Sequence, residues 1–329
     1  MKKFIAVVLS LLMVLSFTAC SSDANGGSSS NNGSGSGAKK HITIAYQQGI
    51  GYAPVHIMEA KKLIEANYSG EVEVTYQLLA SGAAINEGII GGNIDIGCMG
   101  AAPAISGVVA GIPYKCIANL TSQPNGLMTA REDINSLTDI TSEDKIALIN
   151  TGSIQHIYLA MACEKYLGDA HALDNNIQPM QHAEGMAALE SDTVALHLTS
   201  FPFLGQEREN EKYHELTEVV EMCPVGNTFL VAMASTKLAE DKELFEAVQK
   251  AFVQASELIV TNKDEVADIE VEYLSMDKET VMGYLNNPDV TYATELKGVG
   301  NVMDFMFRAG FITKELKFED FKFDGVNGN

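Results

Sequence analysis

Tryptophan is absent from the 329-residue sequence, and arginine is scarce, with only Arg131, Arg208 and Arg308. Acidic residues outnumber basic ones by 43 to 22, which gives a formal net charge of −21 at pH 7. A chain this acidic lacks the positive surface that attracts nucleic acid or anionic lipid. Three arginines are also too few to surround a multiply charged ligand with guanidinium groups, so that class of site is excluded.

Familiar catalytic motifs are missing as well. The sequence has no G-x-S-x-G elbow, no H-E-x-x-H zinc motif, no G-x-x-x-x-G-K phosphate loop and no dinucleotide-binding G-x-G-x-x-G. Its seven histidines are scattered without the spacing of metal ligands, and its carboxylates form no recognisable catalytic pair. We therefore expect a protein that is not an enzyme and that has no metal or other cofactor.

A long apolar run occurs at the N-terminus. Two lysines precede an apolar stretch at 4–17, and Thr-Ala-Cys follows at 18–20. This pattern is typical of an export signal, and the stretch is shorter than the roughly 20 residues of a membrane-spanning helix. The segment resembles the bacterial lipoprotein signal, in which the cysteine, here Cys20, is acylated, although Phe17 stands where leucine is usual. The alternative is ordinary cleavage after Ala19, which leaves a free thiol.

Residues 21–40 are almost entirely serine, glycine and asparagine. Such a segment has too little apolar surface to offset the entropy of ordering it, so we expect a flexible tether. Residues 41–329 can bury a large core, and a chain of this size tends to split into two lobes.

Four cysteines remain in the exported part of the chain, Cys98, Cys116, Cys163 and Cys223. Export permits disulfides, and four thiols allow three pairings. Because Cys98 and Cys163 lie within apolar runs, buried free thiols are favoured over disulfide bonds.

Strand and helix patterns alternate from residue 41 onward. Ile42, Ile44 and Tyr46 alternate with Thr43 and Ala45, as in a strand, before a glycine-containing loop and a helix start. Further strand patterns lie at 72–76, 94–96, 114–120, 145–150, 194–198 and 229–234. Helical patterns lie at 85–89, 105–109, 154–168 and 244–259. Alternating strands and helices predict an α/β fold with a largely parallel sheet.

Ligands of open parallel sheets bind beyond the carboxyl ends of the strands, which here are the loops at 47–52, 99–102, 151–155 and 199–201. Asn-Thr-Gly-Ser at 150–153 begins a helix, where free backbone N–H groups and the helix dipole favour an anion. Simple N-capping by a hydroxyl side chain explains the same residues.

Gly-Ala-Ala-Pro at 100–103 is a second helix start, and its small side chains would let a ligand approach the backbone. Tight packing against a neighbouring element is the alternative explanation for these small residues.

Several short motifs follow in one order. They are Gly-Tyr-Ala-Pro at 51–54, Gly-Asn-Ile-Asp-Ile-Gly at 92–97, Gly-Ala-Ala-Pro at 100–103 and Gly-Ser-Ile-Gln-His at 152–156. Their order and spacing resemble nitrate/sulfonate/taurine-type solute-binding proteins of ABC importers. The resemblance implies a type II periplasmic-binding fold, with two lobes that each contain a largely parallel mixed sheet flanked by helices, and with the ligand in the cleft between them.

The resemblance also implies a division of the chain. We expect a signal peptide at 1–19, the lipidated cysteine and tether at 20–40, lobe 1 at 41–125, lobe 2 at 126–225, and a return to lobe 1 at 226–329. The implied protein lies outside the cytoplasm, anchored to the bacterial cell membrane by acylated Cys20.

The implied activity is capture of a small anionic or zwitterionic solute by lobe closure and delivery to an ABC permease in the membrane. There are two alternatives. One is a solute sensor of the same fold, and the other is an importer component for a neutral aromatic or pyrimidine-type ligand such as a thiamine precursor. Enzymes with this architecture exist, but export argues against that role.

The positions that match the family's ligand contacts form one predicted set. It comprises Gln48, Tyr52, Gly100, Ala101, Ser153, Gln155, Glu184, Ser200 and Phe201. Many relatives carry Trp-Glu-Pro-Phe where this chain has Ser-Phe-Pro-Phe at 200–203, so we expect the usual aromatic wall to be shifted or absent.

Two members of the ligand region have competing interpretations. Glu184 could pair with an ammonium group of the solute, or it could be an acid favoured by the dipole at a helix start. His156 could donate to the ligand, or it could be a partly buried packing residue.

Overall fold

The structure, a computed structural model, describes residues 39–329. The predicted signal peptide, Cys20 and nearly all of the tether lie outside the described residues. The strands are β1 (Lys40–Tyr46), β2 (Val72–Leu78), β3 (Ile96–Gly100), β4 (Tyr114–Thr121), β5 (Asn125–Thr129), β6 (Ile146–Leu148), β7 (Ile177–Pro179), β8 (Leu196–Ser200), β9 (His214–Leu216) and β10 (Leu230–Ser235).

The helices that connect and cover these strands are α1 (Ala53–Lys61), α2 (Leu63–Asn67), α3 (Gly82–Ile90), α4 (Ala101–Val109), α5 (Ile154–Leu167), α6 (His182–Glu190), α7 (Phe203–Glu209), α8 (Thr217–Val220), α9 (Thr236–Ala239), α10 (Lys242–Thr261), α11 (Lys263–Leu274), α12 (Lys278–Asn286), α13 (Val299–Arg308) and α14 (Phe318–Phe321). Short 3₁₀ turns lie at Ile50–Tyr52, Leu137–Asp139 and Asp174–Asn176. Within residues 39–329, no helix combines the length and the apolar character needed to cross a membrane.

The strands form two five-stranded sheets, in the orders β2-β1-β3-β10-β4 and β7-β6-β8-β5-β9. In the first sheet β10 runs antiparallel to both of its neighbours, while β1, β2 and β3 are parallel. In the second sheet β5 takes the antiparallel place, beside the parallel strands β6, β7 and β8. Both sheets are therefore mixed but largely parallel, and the predicted α/β fold class is confirmed.

The chain passes from the first sheet to the second between β4 and β5, and it returns between β9 and β10. The C-terminal segment is hydrogen-bonded to β4, for example from the Asn119 N–H to the Thr294 carbonyl oxygen at 3.0 Å. We call the first sheet with its helices and the C-terminal segment lobe 1, and the part built on β5 to β9 lobe 2. The exact lobe boundaries stay a prediction.

All five residues of β3, β5 and β8 are buried, as in strands covered on both faces. Cys98, Cys116, Cys163 and Cys223 are buried free thiols. Burial raises the pKa of each thiol, to about 11 in Cys223. They are therefore core residues, as the apolar runs around Cys98 and Cys163 indicate for those two.

A buried polar pair joins α1 to α11 in lobe 1. The Nδ1 atom of His56 lies 3.0 Å from both carboxylate oxygens of Glu270. The two residues are 2% and 0% exposed, and Tyr273 stacks on the imidazole at a centroid distance of 4.1 Å. Because neither partner reaches water, each depends on the other to satisfy its polar atoms.

Removal of Glu270 should destabilise the fold. We expect Glu270→Ala to lower the free energy of unfolding by about 3–5 kcal/mol, because it leaves His56 buried without its partner. Glu272→Ala, at an exposed site on the same helix, should change that energy by less than about 0.5 kcal/mol. Urea denaturation of both variants measures the difference, and equal midpoints would contradict this role of the pair.

Candidate functional site

A cleft lies between the two sheets, at the carboxyl ends of their parallel strands. From lobe 1, β1, β2 and β3 end there and lead into α1, α3 and α4. From lobe 2, β6, β7 and β8 end there and lead into α5, α6 and α7. The first turn of every one of these six helices, or the loop directly before it, contributes to the lining of the cleft.

The cleft contains about 650 Å³ of empty space, part of which is continuous with solvent. Only a small part of it is wide enough for the centre of a water molecule, so the enclosed part of the cleft is narrow. A solute that binds in this cleft must therefore be small. The polar lining residues are Gln47, Gln48, Tyr52, Gln123, Asn150, Ser153, Gln155, Gln181, His182 and Ser200.

The lobes touch across the cleft at two glycines. A Cβ atom on Gly49 would lie 3.4 Å from the carbonyl oxygen of Phe201. A Cβ atom on Gly100 would lie 2.8 Å from Cγ2 of Ile154, which is closer than side chains approach. Gly49 and Gly100 belong to lobe 1 and their neighbours to lobe 2, so the structure has the lobes closed on each other at these points.

No aspartate, glutamate, lysine or arginine lines the cleft in the part of the chain that the structure describes. His182 is neutral, because burial lowers its pKa to about 3, and burial raises the pKa of Tyr52. The guanidinium of Arg208 lies 6.0 Å from the ring centroid of Phe201, but it is paired with Glu215 at 2.9 and 2.7 Å. Within residues 39–329, the cleft is thus lined by polar and apolar side chains but by no charged one.

Backbone N–H groups supply the polarity at the start of α5. The first hydrogen bond of the helix runs from Ile157 N–H to the Ser153 carbonyl at 3.1 Å, and Ser153 Oγ accepts from the His156 N–H at 3.2 Å. The N–H groups of Ile154 and Gln155 lie before these bonds, where a helix has no internal acceptor for them. They are placed to donate to an anion in the cleft.

Residues 35–271 match the family model described as the NMT1-like family. This match extends over more than half of the sequence. The chain belongs to the NMT1-like family. No curated protein matches the sequence.

Solved structures with the same fold include three solute-binding proteins. The aliphatic sulphonate binding protein SsuA of Escherichia coli has a TM-score of 0.68 at 17% identity, covering 88% of this chain and 93% of its own. The alkanesulfonate-binding SsuA of Xanthomonas axonopodis pv. citri, bound to MOPS, has a TM-score of 0.70 at 15% identity, and the match covers 84% of this chain and 95% of its own. The nitrate-binding NrtA of Synechocystis PCC 6803 has a TM-score of 0.59 at 14% identity, and the match covers 75% of this chain and 70% of its own.

All three neighbours are described as binding proteins, two of them as periplasmic. The NMT1-like chain shares their fold, so the resemblance proposed from its motifs is confirmed at that level. At these identities the likeness carries no information on which solute this chain binds.

The cleft brings together seven of the nine residues predicted to contact the ligand. They are Gln48, Tyr52, Gly100, Ser153, Gln155, Ser200 and Phe201. Their roles as ligand contacts stay predictions. Tyr52, Phe201, Phe203 and Phe229 line the cleft together, so it has aromatic walls without tryptophan.

Ala101 and Glu184 are not in the lining. Ala101 is fully buried, and its N–H donates to the Phe229 carbonyl at 3.0 Å. Glu184 accepts from the Gln181 N–H at 3.3 Å in a capping box at the start of α6, which is the helix-start interpretation of this acid. His156 is likewise behind the lining, where its Nδ1 accepts from the Gly152 N–H at 2.9 Å.

Sequence reasoning missed several lining residues. Gln47 donates through Nε2 to the Tyr52 hydroxyl at 2.8 Å and stands in a loop that was expected at the cleft, so its amide was a usable signal. Gln123 lies between β4 and β5, where neither strand nor helix periodicity marks it. Gln123 lines the cleft, and its buried Oε1 has no hydrogen-bond partner among the described residues.

A methyl group at Gly100 should block closure of this NMT1-like protein. The φ and ψ of Gly100 are −59° and 150°, which alanine adopts without strain, so the obstacle is the contact with Ile154. Overpacking of this kind costs about 1–3 kcal/mol. We expect Gly100→Ala to weaken solute binding by about five- to 150-fold, measured by isothermal titration calorimetry.

Two further variants identify the cause. Gly283→Ala, at an exposed helical position with open space around it, should bind as the wild type does. Ile154→Ala in the Gly100→Ala background removes the obstructing methyl group and should recover part of the affinity. Unchanged binding by Gly100→Ala would show that this contact is not needed for closure.

Proposed function

We propose that this NMT1-like protein is a lipid-anchored solute-binding component of an ABC importer, whose lobes close on a small monoanion and deliver it to a membrane permease. The observation that carries this proposal is a closed cleft at which six helices begin and which no charged side chain of the described part of the chain lines. The family and the periplasmic neighbours support the importer role.

The charge of the solute follows from the helix starts. Each helix N-terminus is equivalent to roughly half a positive elementary charge, made of N–H groups without internal acceptors. Six of them begin at the cleft; the Glu184 carboxylate offsets the potential of α6, and among residues 39–329 no carboxylate lines the cleft itself. A monoanion can therefore be held by backbone and amide donors alone, whereas a dianion would lack the cations that offset its desolvation.

The same arrangement disfavours an ammonium group on the solute. The partner predicted for such a group, Glu184, is engaged at the start of α6 and does not line the cleft. An ammonium group would instead lie among the positive ends of the helices. Within the nitrate, sulfonate and taurine range, nitrate and short alkanesulfonates fit better than taurine, and the aromatic walls can accept an alkyl group.

A neutral aromatic ligand is the second candidate. The amide of Gln123, whose Oε1 has no partner among the described residues, would accept from a ring N–H or amino group, and four aromatic side chains line the cleft. A neutral heterocycle of the pyrimidine type would use both features without requiring a charged partner.

A thermal-shift panel of nitrate, ethanesulfonate, taurine and an aminopyrimidine separates these candidates. A true ligand at 100 times its Kd stabilises the native state by about 2.7 kcal/mol. We expect the largest shift with ethanesulfonate or nitrate and a smaller one with taurine. If the aminopyrimidine alone raises the melting temperature, the monoanion proposal is wrong and the neutral aromatic ligand takes its place.

Gln155→Glu tests the sign of the charge directly, because it adds a carboxylate to the cleft without changing side-chain length. A carboxylate about 5 Å from a bound anion costs about 3 kcal/mol at an effective dielectric constant of about 20. We expect anion affinity to fall roughly a hundredfold. The control is Gln254→Glu, exposed on α10, and a neutral ligand should bind both variants with similar affinity.

The lipid anchor is tested at Cys20, which precedes the described residues. In the bacterial host, Cys20→Ala should abolish incorporation of labelled palmitate and release the protein from the membrane fraction, because one or more acyl chains no longer hold it there. Cys223→Ala, which removes a buried thiol, should leave labelling intact. Labelling that persists in Cys20→Ala would exclude acylation at this residue.

A further inference from the structure

A chain of hydrogen bonds leads away from the cleft behind the start of α5. The Gly152 N–H donates to Nδ1 of His156 at 2.9 Å, and Nε2 of His156 lies 3.0 Å from Oδ1 of Asp174. Nδ1 of His171 lies 2.8 Å from Oδ2 of the same carboxylate, and its Nε2 lies 2.9 Å from the Ala309 carbonyl oxygen. Four consecutive contacts thus join a cleft turn to a distant segment.

The acceptors determine where the protons lie. Nδ1 of His156 accepts from a backbone N–H, so its single proton is on Nε2 and is donated to Asp174. Both nitrogens of His171 face oxygen acceptors, a carboxylate and a carbonyl, so both must donate. The complete series of hydrogen bonds therefore requires His171 to be protonated, as an imidazolium.

The last contact joins the two lobes. Ala309 follows α13, which packs on α4 of lobe 1 and on α5 of lobe 2. Phe311 packs edge-on to His156 at 5.2 Å and against His171 at 4.8 Å, measured between ring centroids. Arg308 forms an ion pair with Glu164 of α5. We call residues 308–311 the lobe 1 turn.

We propose that His156, Asp174 and His171 are positioning residues, which hold the Gly152–Ser153 turn at the cleft and connect it to the lobe 1 turn. Solute binding then strengthens the contact between the lobes. Deprotonation of His171 weakens both this contact and the binding of the solute. This inference rests on the proposed function, because it assumes that the Gly152–Ser153 turn binds the solute.

The pH dependence has a definite sign. The hydrogen bond to Ala309, then that to Asp174, raises the pKa of His171 above its usual 6.5. A raised pKa means that the contribution of the imidazolium is complete below about pH 6.5 and is lost as pH rises through the folded-state pKa.

The other charged groups around His171 agree with that sign. Asp169 on the same loop also favours the protonated form. From α5, His156 uses Nδ1 to accept the Gly152 N–H, and Glu164 is paired with Arg308 of lobe 1. The positive charge of Arg308 is thus compensated by its own partner.

The first test needs no ligand. In the NMR spectrum of the ligand-free mature protein, the Gly152 amide should shift with the same midpoint as the His171 ring, because His156 and Asp174 connect them within lobe 2. Asp174→Asn should remove that shared midpoint, whereas His41→Gln, at an exposed histidine of β1, should not. A Gly152 amide that does not respond to the His171 titration would overturn the connection.

The second test uses ethanesulfonate and nitrate as probes between pH 6 and 9. Loss of one charged hydrogen bond should weaken their binding to the wild type and to His41→Gln by about three- to tenfold as pH rises. His171→Gln should bind at pH 6 as weakly as the wild type does at pH 9, with no pH dependence. A wild-type Kd that is constant with pH would overturn the coupling to lobe closure.

The two tests separate failure of this inference from failure of the proposed function. If no probe binds at any pH, the anion proposal fails, and the Gly152 titration alone then decides whether the positioning chain exists. If probes bind and the Gly152 amide stays constant, the proposed function stands and the positioning chain is wrong.

Discussion

The direction of six strands determines the character of the cleft. A strand that is followed by a helix places the N-terminus of that helix at its own carboxyl end, so parallel strands collect helix N-termini at one edge of the sheet. Here β1, β2 and β3 face β6, β7 and β8 across one gap. The positive potential in the gap therefore comes from the backbone, and it needs no arginine, which this sequence barely contains.

Charges near the cleft are neutralised before they can act on a solute. Glu207 and His197 lie behind the lining with 2.5 Å between Oε1 and Nδ1, and both are buried. Burial raises the pKa of Glu207 and lowers that of His197, so the pair is held as a protonated carboxyl and a neutral imidazole. Together with the Arg208–Glu215 pair, this leaves the dipoles of the helices as the dominant electrostatic feature of the cleft.

Local sequence patterns predicted most of what lies around these strands. The alternation at 41–46 and the helix start at 153 were visible because periodicity and capping act within a few residues. Strand β5, Asn125–Thr129, was missed because its burial results from pairing with β8 and β9, which are distant in sequence. Gln123 was missed for the same reason. The Glu184 position could be read in two ways, and only its contact with the Gln181 N–H distinguishes them.

Closure and selectivity have a common steric basis in this cleft. Gly49, with a φ of 138°, adopts a backbone conformation that side chains rarely allow, and it brings lobe 1 against the Phe201 carbonyl. Gly100 allows the start of α4 to meet Ile154 in the same way. Because both contacts depend on missing side chains, the lobes approach until only a narrow enclosed space remains for a solute. A larger solute would hold these contacts apart, so the geometry that surrounds the solute with helix N-termini also limits its size.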